Sequence, residues 1–269
     1  MKVLVIGASG VIGSAASSFF KERGDTVIDW DIEISPSHDL RVQGALDATL
    51  KDEAPDVALF LAFDVGGSKY PIESAEYVSN NMRIIQNTLG VLGKYKVPFI
   101  HTTSQMSNMD HNPYGPLKRI AEFHTKYLGG VNVKVWNVYG PENVGPKSHA
   151  IADFIEQAKT LKRIQMLSDG QEVRQFLHAR DFARALSIIV DRYTEFSGKT
   201  VDISSFKWTS IHEVANVVAA VCGPGVDVVP GHVVSGFQTK VNTPGEDFLN
   251  TGWTPCISLE DGIKSCLKY

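Results

Sequence analysis

The sequence predicts an α/β fold, a doubly wound parallel sheet with a small C-terminal lobe interleaved with it. Three observations predict this. Short apolar runs alternate with stretches of helical periodicity from residue 2 to residue 136. The runs are continuous rather than alternating, as strands buried on both faces require. The glycine-rich turn GASGVIG (7–13) stands between the first run and the first helical stretch, where such a sheet binds its ligands.

The elements follow in order. KVLVI (2–6) is a buried strand ending at glycine. Residues 11–23 carry helical spacing. TVIDW (26–30) is the second strand, with Asp31 at its end. Residues 42–53 read as a helix closed by Pro55, and DVALFLA (56–62) as a third strand. A long helix spans 73–95, a strand 97–103, a helix 117–128 and a strand 131–136. Beyond 140 the pattern loosens under Pro and Gly. Helices are predicted at 149–162, 178–190 and 210–222, with a late strand at 201–205. The organisation implied is a Rossmann-type NAD-binding domain of residues 1–140 with 176–204. A substrate lobe takes 141–175 with 205–269.

Composition excludes several classes. The 269 residues suffice for an ample core without staples. A formal net charge of −4 argues against a nucleic-acid partner, which calls for a basic face. Cys222, Cys256 and Cys266 lie far apart with no CxxC pair, so neither a disulfide framework nor a metal site is expected. A reducing cytoplasm is the expected location. The N-terminus lacks a signal-peptide core, and no run approaches the ~18 apolar residues of a membrane span.

The glycine turn has a specific physical reading. Gly7 permits the tight turn, Gly10 lets backbone approach a pyrophosphate, and Gly13 lets the helix pack on the strand. Ser9, Val11 and Ile12 complete the phosphate-facing turn at a helix N-terminus. Asp31, with Asp29 as a second candidate, supplies the acid about twenty residues further on. A carboxylate there accepts from ribose hydroxyls and repels a 2′-phosphate, which favours NAD over NADP.

Further motifs recur in order: HDLR (38–41), LFLAF (59–63), FDVGG (63–67), NNM (80–82), and Tyr114 and Lys118 four apart. NVYGP (137–141), GQEVRQFLHARDFARAL (170–186) and GWTPCISLEDGIK (252–264) follow. In these motifs the chain resembles the extended short-chain dehydrogenase/reductase family, the group of sugar-nucleotide epimerases and dehydratases. The resemblance implies a nucleotide-sugar substrate and a bound NAD. It implies that Asp39 and Leu40 meet the adenine and that Leu61, Ala62 and Phe63 pass beneath the pyrophosphate. Asn81 and Thr102 join the cofactor contacts, and Asn137 and Arg174 meet the substrate, Arg174 at its diphosphate. The alternatives are a buried cap for Asn81 or Asn137 and an ion pair with Glu172 or Asp181 for Arg174. Asp181 is expected to cap a helix, His149 and His178 to be structural or exposed, and Lys240 to replace a family arginine. A homodimer through helices near 73–95 and 113–128 is implied too.

The resemblance also implies proton chemistry. Tyr114 is the general base, Lys118 lowers its pKa and holds the nicotinamide ribose, and Ser104 steadies the same substrate oxygen, with Thr103 able to substitute. Spacing of four puts Tyr114 and Lys118 on one helix face, and an ammonium beside a phenol favours the phenolate. Two departures stand out. Pro116 and Leu117 are unusual for the family, and Pro116 predicts a helix beginning at about Gly115 with Tyr114 as its cap. Gln105 and Met106 occupy the positions of the acid pair that dehydratases use, and no cysteine for epimerising beside a ketone is present. Chemistry needing a second acid or base is therefore disfavoured. The expected function is an NAD-dependent epimerase of a nucleotide-activated sugar that oxidises a carbinol, reorients the ketone and reduces it. A keto-sugar-nucleotide reductase uses the same residues. A catalytically silent dinucleotide-binding regulatory protein is the alternative from another class.

Overall fold

The computed structural model describes residues 1–66, 72–232 and 242–268. Strand β1 (Lys2–Ile6) leads through α1 (Val11–Glu22) to β2 (Thr26–Trp30). Helix α2 (Asp47–Glu53) precedes β3 (Val57–Phe60), α3 (Ala75–Tyr95) precedes β4 (Phe99–Ser104), and α4 (Tyr114–Tyr127) precedes β5 (Val131–Val135). Next come β6 (Asn137–Tyr139), α5 (Ala150–Leu161), β7 (Arg163–Gln165), β8 (Val173–Arg174) and β9 (Phe176–His178). The chain continues with α6 (Ala179–Asp191), α7 (Tyr193–Phe196), β10 (Thr200–Ile203), β11 (Thr209–Ser210), α8 (Ile211–Cys222), β12 (Asp227–Val229) and α9 (Leu259–Cys266).

Six strands form one sheet in the order β2-β1-β3-β4-β5-β10, and every pairing in it is parallel. Val3 stands between Val27 and Val57 in the register. The chain leaves β1 towards one edge and returns at β3 to build towards the other. The topological switch point therefore lies between β1 and β3, and a ligand crevice opens at their carboxyl ends.

Both faces of the sheet are covered, which explains the unbroken apolar runs. On one face Val5, Phe20, Ala183 and Leu186 pack together beneath α1 and α6. On the other, Leu4, Phe60, Leu89 and Ala121 pack beneath α2, α3 and α4. Each fully buried Val, Leu or Phe among these contributes about 1.5–3 kcal/mol. A third core joins α5, α8 and α9 through Phe154, Val214 and Ile263. Phe248 and Trp253 belong to the sheet's core, although the sequence places them with the lobe.

Several expectations change in detail. The helix expected over 42–53 begins only at Asp47. Helix α4 starts at Tyr114 with Pro113 as its cap, so Tyr114 is inside the helix. Pro116 is third in that helix, within the first turn, where its missing N–H has no helical partner to lose. Leu117 is 3% exposed and packs in the second core, which accounts for an apolar residue there. His178, not Asp181, caps α6: its Nδ1 accepts from Arg180 N at 3.2 Å. Asp181 instead accepts from the N–H groups of Cys256 (3.0 Å) and Ile257 (2.8 Å). Lys240 lies outside the described residues. Among the described residues, no helix is long and apolar enough to cross a membrane.

Candidate active site

The turn after β1 shapes the site. Gly7 sits at φ +94°, and a Cβ there would lie 2.7 Å from Ala62 N. A Cβ on Gly13 would lie 1.9 Å from Gly7 O. These two glycines are required by the fold itself, since only glycine allows such approaches. Gly10 differs. It is extended, caps α1 without a side-chain bond, and would hold a Cβ in ordinary contact, 3.5 Å from Gly7 O. Packing within the chain does not demand glycine at 10, and the residue lines a cleft of about 820 Å³. A bare backbone there fits a phosphate drawn to the free N–H groups of α1.

Val11 and Ile12 line the same cleft. Asp31 lines it too, and its carboxylate accepts from Ser9 N and Glu33 N, both at 3.0 Å. Asp29, the second candidate, is instead paired with Lys21 at 2.5 Å. The loop after β2 is anchored by His38, which stacks on Trp30 at 4.6 Å between centroids. Asp39 holds Arg41 through two contacts of 2.8 and 2.9 Å, and this lowers the Asp39 pKa. Leu40 is buried, and its carbonyl accepts from Asn87 Nδ2 at 2.7 Å. Both residues line the cleft, as do Leu61, Ala62 and Phe63 after β3.

Asn81 follows the buried alternative rather than the ligand contact. It is fully buried, and its Oδ1 accepts from Asp64 N at 2.9 Å. Its Nδ2 donates to Asp64 O (3.1 Å) and Tyr77 O (3.2 Å). The amide is spent on holding the loop after β3. Its neighbour Asn80 lines the cleft.

Ser104 at the end of β4 and Tyr114 and Lys118 on α4 converge on the cleft. Thr102 lines it as well, and its carbonyl accepts from Lys118 Nζ at 3.0 Å. Ser104 Oγ accepts from Met106 N at 3.1 Å. Burial pushes the Tyr114 pKa up, and a hydrogen bond with the Ser104 hydroxyl pulls the other way. Ser104 thus acts on the phenol in the direction expected of Lys118. Lys118 Nζ lies 5.9 Å from the Tyr114 ring centre. Burial pushes the Lys118 pKa down to about 7, with Glu122 opposing. Thr103 also lines the cleft, but its Oγ1 is engaged with Glu122, donating to Oε1 at 2.7 Å.

Gln105 and Met106 both line the cleft, and Asn242 Nδ2 reaches the Gln105 carbonyl at 2.7 Å. Asn137 lines the cleft. Arg174 is not among its described lining residues. It stands on β8, its Nη1 donates to Val173 O at 2.9 Å, and burial lowers its pKa against the pull of Glu172.

His149, expected to be structural or exposed, is exposed, and it also lines the cleft. Glu142 accepts from His149 N and pairs with its Nδ1, each at 2.9 Å, and this raises the imidazole pKa. His149 is thus a proton-bearing group on the cleft wall in addition to Tyr114 and Lys118. No local pattern marks His149. Only its place in the folded cleft does. Beside it, Lys147 pairs with Asp64 at 2.5 Å.

The fold that carries this crevice has relatives among known proteins. The model of the NAD dependent epimerase/dehydratase family matches residues 3–204. The chain belongs to this family. A putative GDP-L-fucose synthase 2 of Oryza sativa subsp. japonica is 24% identical over 100% of this chain and 86% of its own length. An epimerase from Methanothermobacter thermautotrophicus superposes with a TM-score of 0.88 at 21% identity, covering 99% of this chain and 91% of the other. A UDP-glucose 4-epimerase of Thermotoga maritima, solved with UDP-glucose, has a TM-score of 0.84 at 20% identity, covering 100% and 98%.

Proposed function

We propose that this chain is an NAD-dependent epimerase of a nucleotide-activated sugar, working through a transient keto intermediate. The observation that carries the reading is the convergence of Ser104, Tyr114 and Lys118 on the cleft that Gly7, Gly10 and Asp31 also line. The family match and the sugar-nucleotide enzymes it resembles support it.

The bare backbone at Gly10 and the N-terminus of α1 would hold the pyrophosphate, and Asp31 the adenosine ribose. The carboxylate of Asp31 favours NAD over its 2′-phosphorylated form. When bound, the nicotinamide supplies a reversible hydride acceptor. Tyr114 takes the proton of the sugar hydroxyl as the carbon is oxidised and returns it on reduction. Ser104 donates to the same oxygen. Lys118 presents positive charge beneath the cleft. Asn137 meets the sugar, and residues 141–175 with 205–269 shape the substrate side. Tyr114→Phe should lower turnover at least ~100-fold, the usual reach of a positioned acid–base group. NADH binding, read by fluorescence, should persist. Turnover that survives this change refutes the assignment.

The His149–Glu142 pair favours a second reading, net reduction of a keto-sugar nucleotide. A protonated imidazole supplies a proton that an oxidise–rotate–reduce cycle does not need. Relatives named as GDP-L-fucose synthases accord with it. Stoichiometric loss of NADH absorbance with a keto-sugar nucleotide selects this reading; conversion without net loss selects epimerisation. A silent regulatory protein has less support, because Pro116 fits the first turn of α4. The proposed state is a homodimer through α3 and α4 in the cytoplasm. Ile120, Phe123 and Tyr127 on α4 are 49%, 51% and 83% exposed. A monomeric mass by light scattering refutes the dimer.

A further inference from the structure

We propose that Glu122 is a positioning residue that keeps Lys118 in its ammonium form beneath the cleft, with Thr103 aiming the carboxylate. Lys118 and Glu122 are four apart on α4 and so lie on one face of it. Both meet β4, at successive residues. Lys118 Nζ donates to the Thr102 carbonyl at 3.0 Å, and Thr103 Oγ1 donates to Glu122 Oε1 at 2.7 Å. Alternation along the strand turns the Thr103 side chain away from that of Ser104 and towards Glu122. From β5, Asn132 Nδ2 donates to the Glu122 carbonyl at 2.9 Å, which fixes this turn of the helix.

Among the described residues, Tyr114, His101 and Phe63 beside Lys118 carry no negative charge at neutral pH. Tyr114 lies one turn earlier as a neutral phenol, its pKa raised by burial. His101 on β4 is 2% exposed, and burial together with the Lys118 charge lowers its pKa to about 3, so it is neutral. The Phe63 ring lies 3.9 Å from Nζ. Among these neighbours Glu122 is the carboxylate, and it acts on Lys118 against burial. Lys118 itself is 4% exposed. A buried ammonium without a counter-charge gives up its proton rather than stay charged.

The inference deepens the proposed function, but its test needs neither cofactor nor substrate. Unfolding of the cofactor-free chain is measured for wild type, Glu122→Gln, Lys118→Met and the double variant. Glutamine keeps an acceptor for Thr103 while removing the charge. At about pH 6, where Lys118 is charged in the fold, the cycle should show a several-fold coupling in the unfolding constant. At about pH 9, where the folded chain holds Lys118 neutral, the coupling should fade. If Lys118→Met does not fold, Glu122→Gln alone still decides, because its penalty must shrink between these two pH values. NADH binding by Glu122→Gln should also lose its alkaline limb at lower pH, about tenfold in charged fraction per unit of displacement. A Glu122→Gln penalty equal at both pH values, or untouched by Lys118→Met, overturns the proposal. Failure of the epimerase reading would appear instead as wild-type protein that neither binds NADH nor turns over, with the unfolding cycle unaffected.

Discussion

The Lys118 ammonium lies 3.9 Å from the centre of the Phe63 ring, and the edge of that ring meets Tyr114, with 5.6 Å between ring centroids. One aromatic side chain from the loop after β3 thus touches both members of the Tyr–Lys pair. It shields the ammonium from water while offering it a π face. The arrangement places a charge where burial opposes it.

Stability should therefore depend on pH through Lys118. Its pKa falls to about 7 in the fold from an ordinary 10.5. Between those values the unfolded chain binds the extra proton, so stability attributable to this group rises with pH. Below the lower value the full penalty of a buried charge applies. Lys118→Met should raise Tm most at acid pH, and the gain should shrink as pH climbs from about 7 towards 10.5. Calorimetry across that range checks the sign.

Two glycines of the same turn should behave in opposite ways. Gly13→Ala forces a Cβ to 1.9 Å from Gly7 O. It should destabilise the fold by about 1–3 kcal/mol, as overpacking does. Gly10→Ala meets nothing closer than 3.5 Å. It should leave urea unfolding nearly unchanged while weakening NADH binding. Equal loss of stability in both variants would contradict a ligand-driven need for Gly10.

Cofactor choice should turn on Asp31. Asp31→Asn removes the charge and keeps an acceptor for only one of Ser9 N and Glu33 N, which reach separate carboxylate oxygens at 3.0 Å each. The ratio of NADP to NAD affinity should rise by about tenfold or more, the effect of lifting one like-charge repulsion. Paired NADH and NADPH fluorescence titrations measure it.

Glu142 should set the titration of His149. The pair raises the imidazole pKa, so its stabilisation is present at acid pH and is lost as pH rises through the raised value. Glu142→Gln should move any His149-dependent limb of the pH–rate profile to lower pH. The stability difference from wild type should be largest at acid pH and vanish at alkaline pH.

The parts of this site that lie close together in the chain were legible in the sequence. Gly7, Gly10 and Gly13 share one turn, and Tyr114 and Lys118 share one helical turn, so spacing alone carries their geometry. The long buried strands were legible through hydrophobicity. Strands β6, β8 and β9 have three, two and three residues, too few to show a period. His149, Asn81 and Thr103 depend on what faces them from elsewhere in the fold. For Asn81 the sequence leaves ligand contact and buried cap open, because an asparagine in a helix has no local mark that tells a clamp from a contact. Thr103 was grouped with Ser104, yet adjacent strand residues point to opposite faces. Arg174 was chosen for its chemistry, and its position on β8 is a matter of topology that no motif encodes.

Strand β10 completes the sheet at residues 200–203, long after β5 at 131–135. On a ribosome, β5 emerges first and stays an unpaired edge while the whole of α5 and α6 is made. Its outer N–H and C=O groups are a template for any passing extended chain in that interval. Nascent protein should thus be most prone to aggregation when synthesis stalls between these two points, and a pause placed after β10 should be far better tolerated than one placed before it.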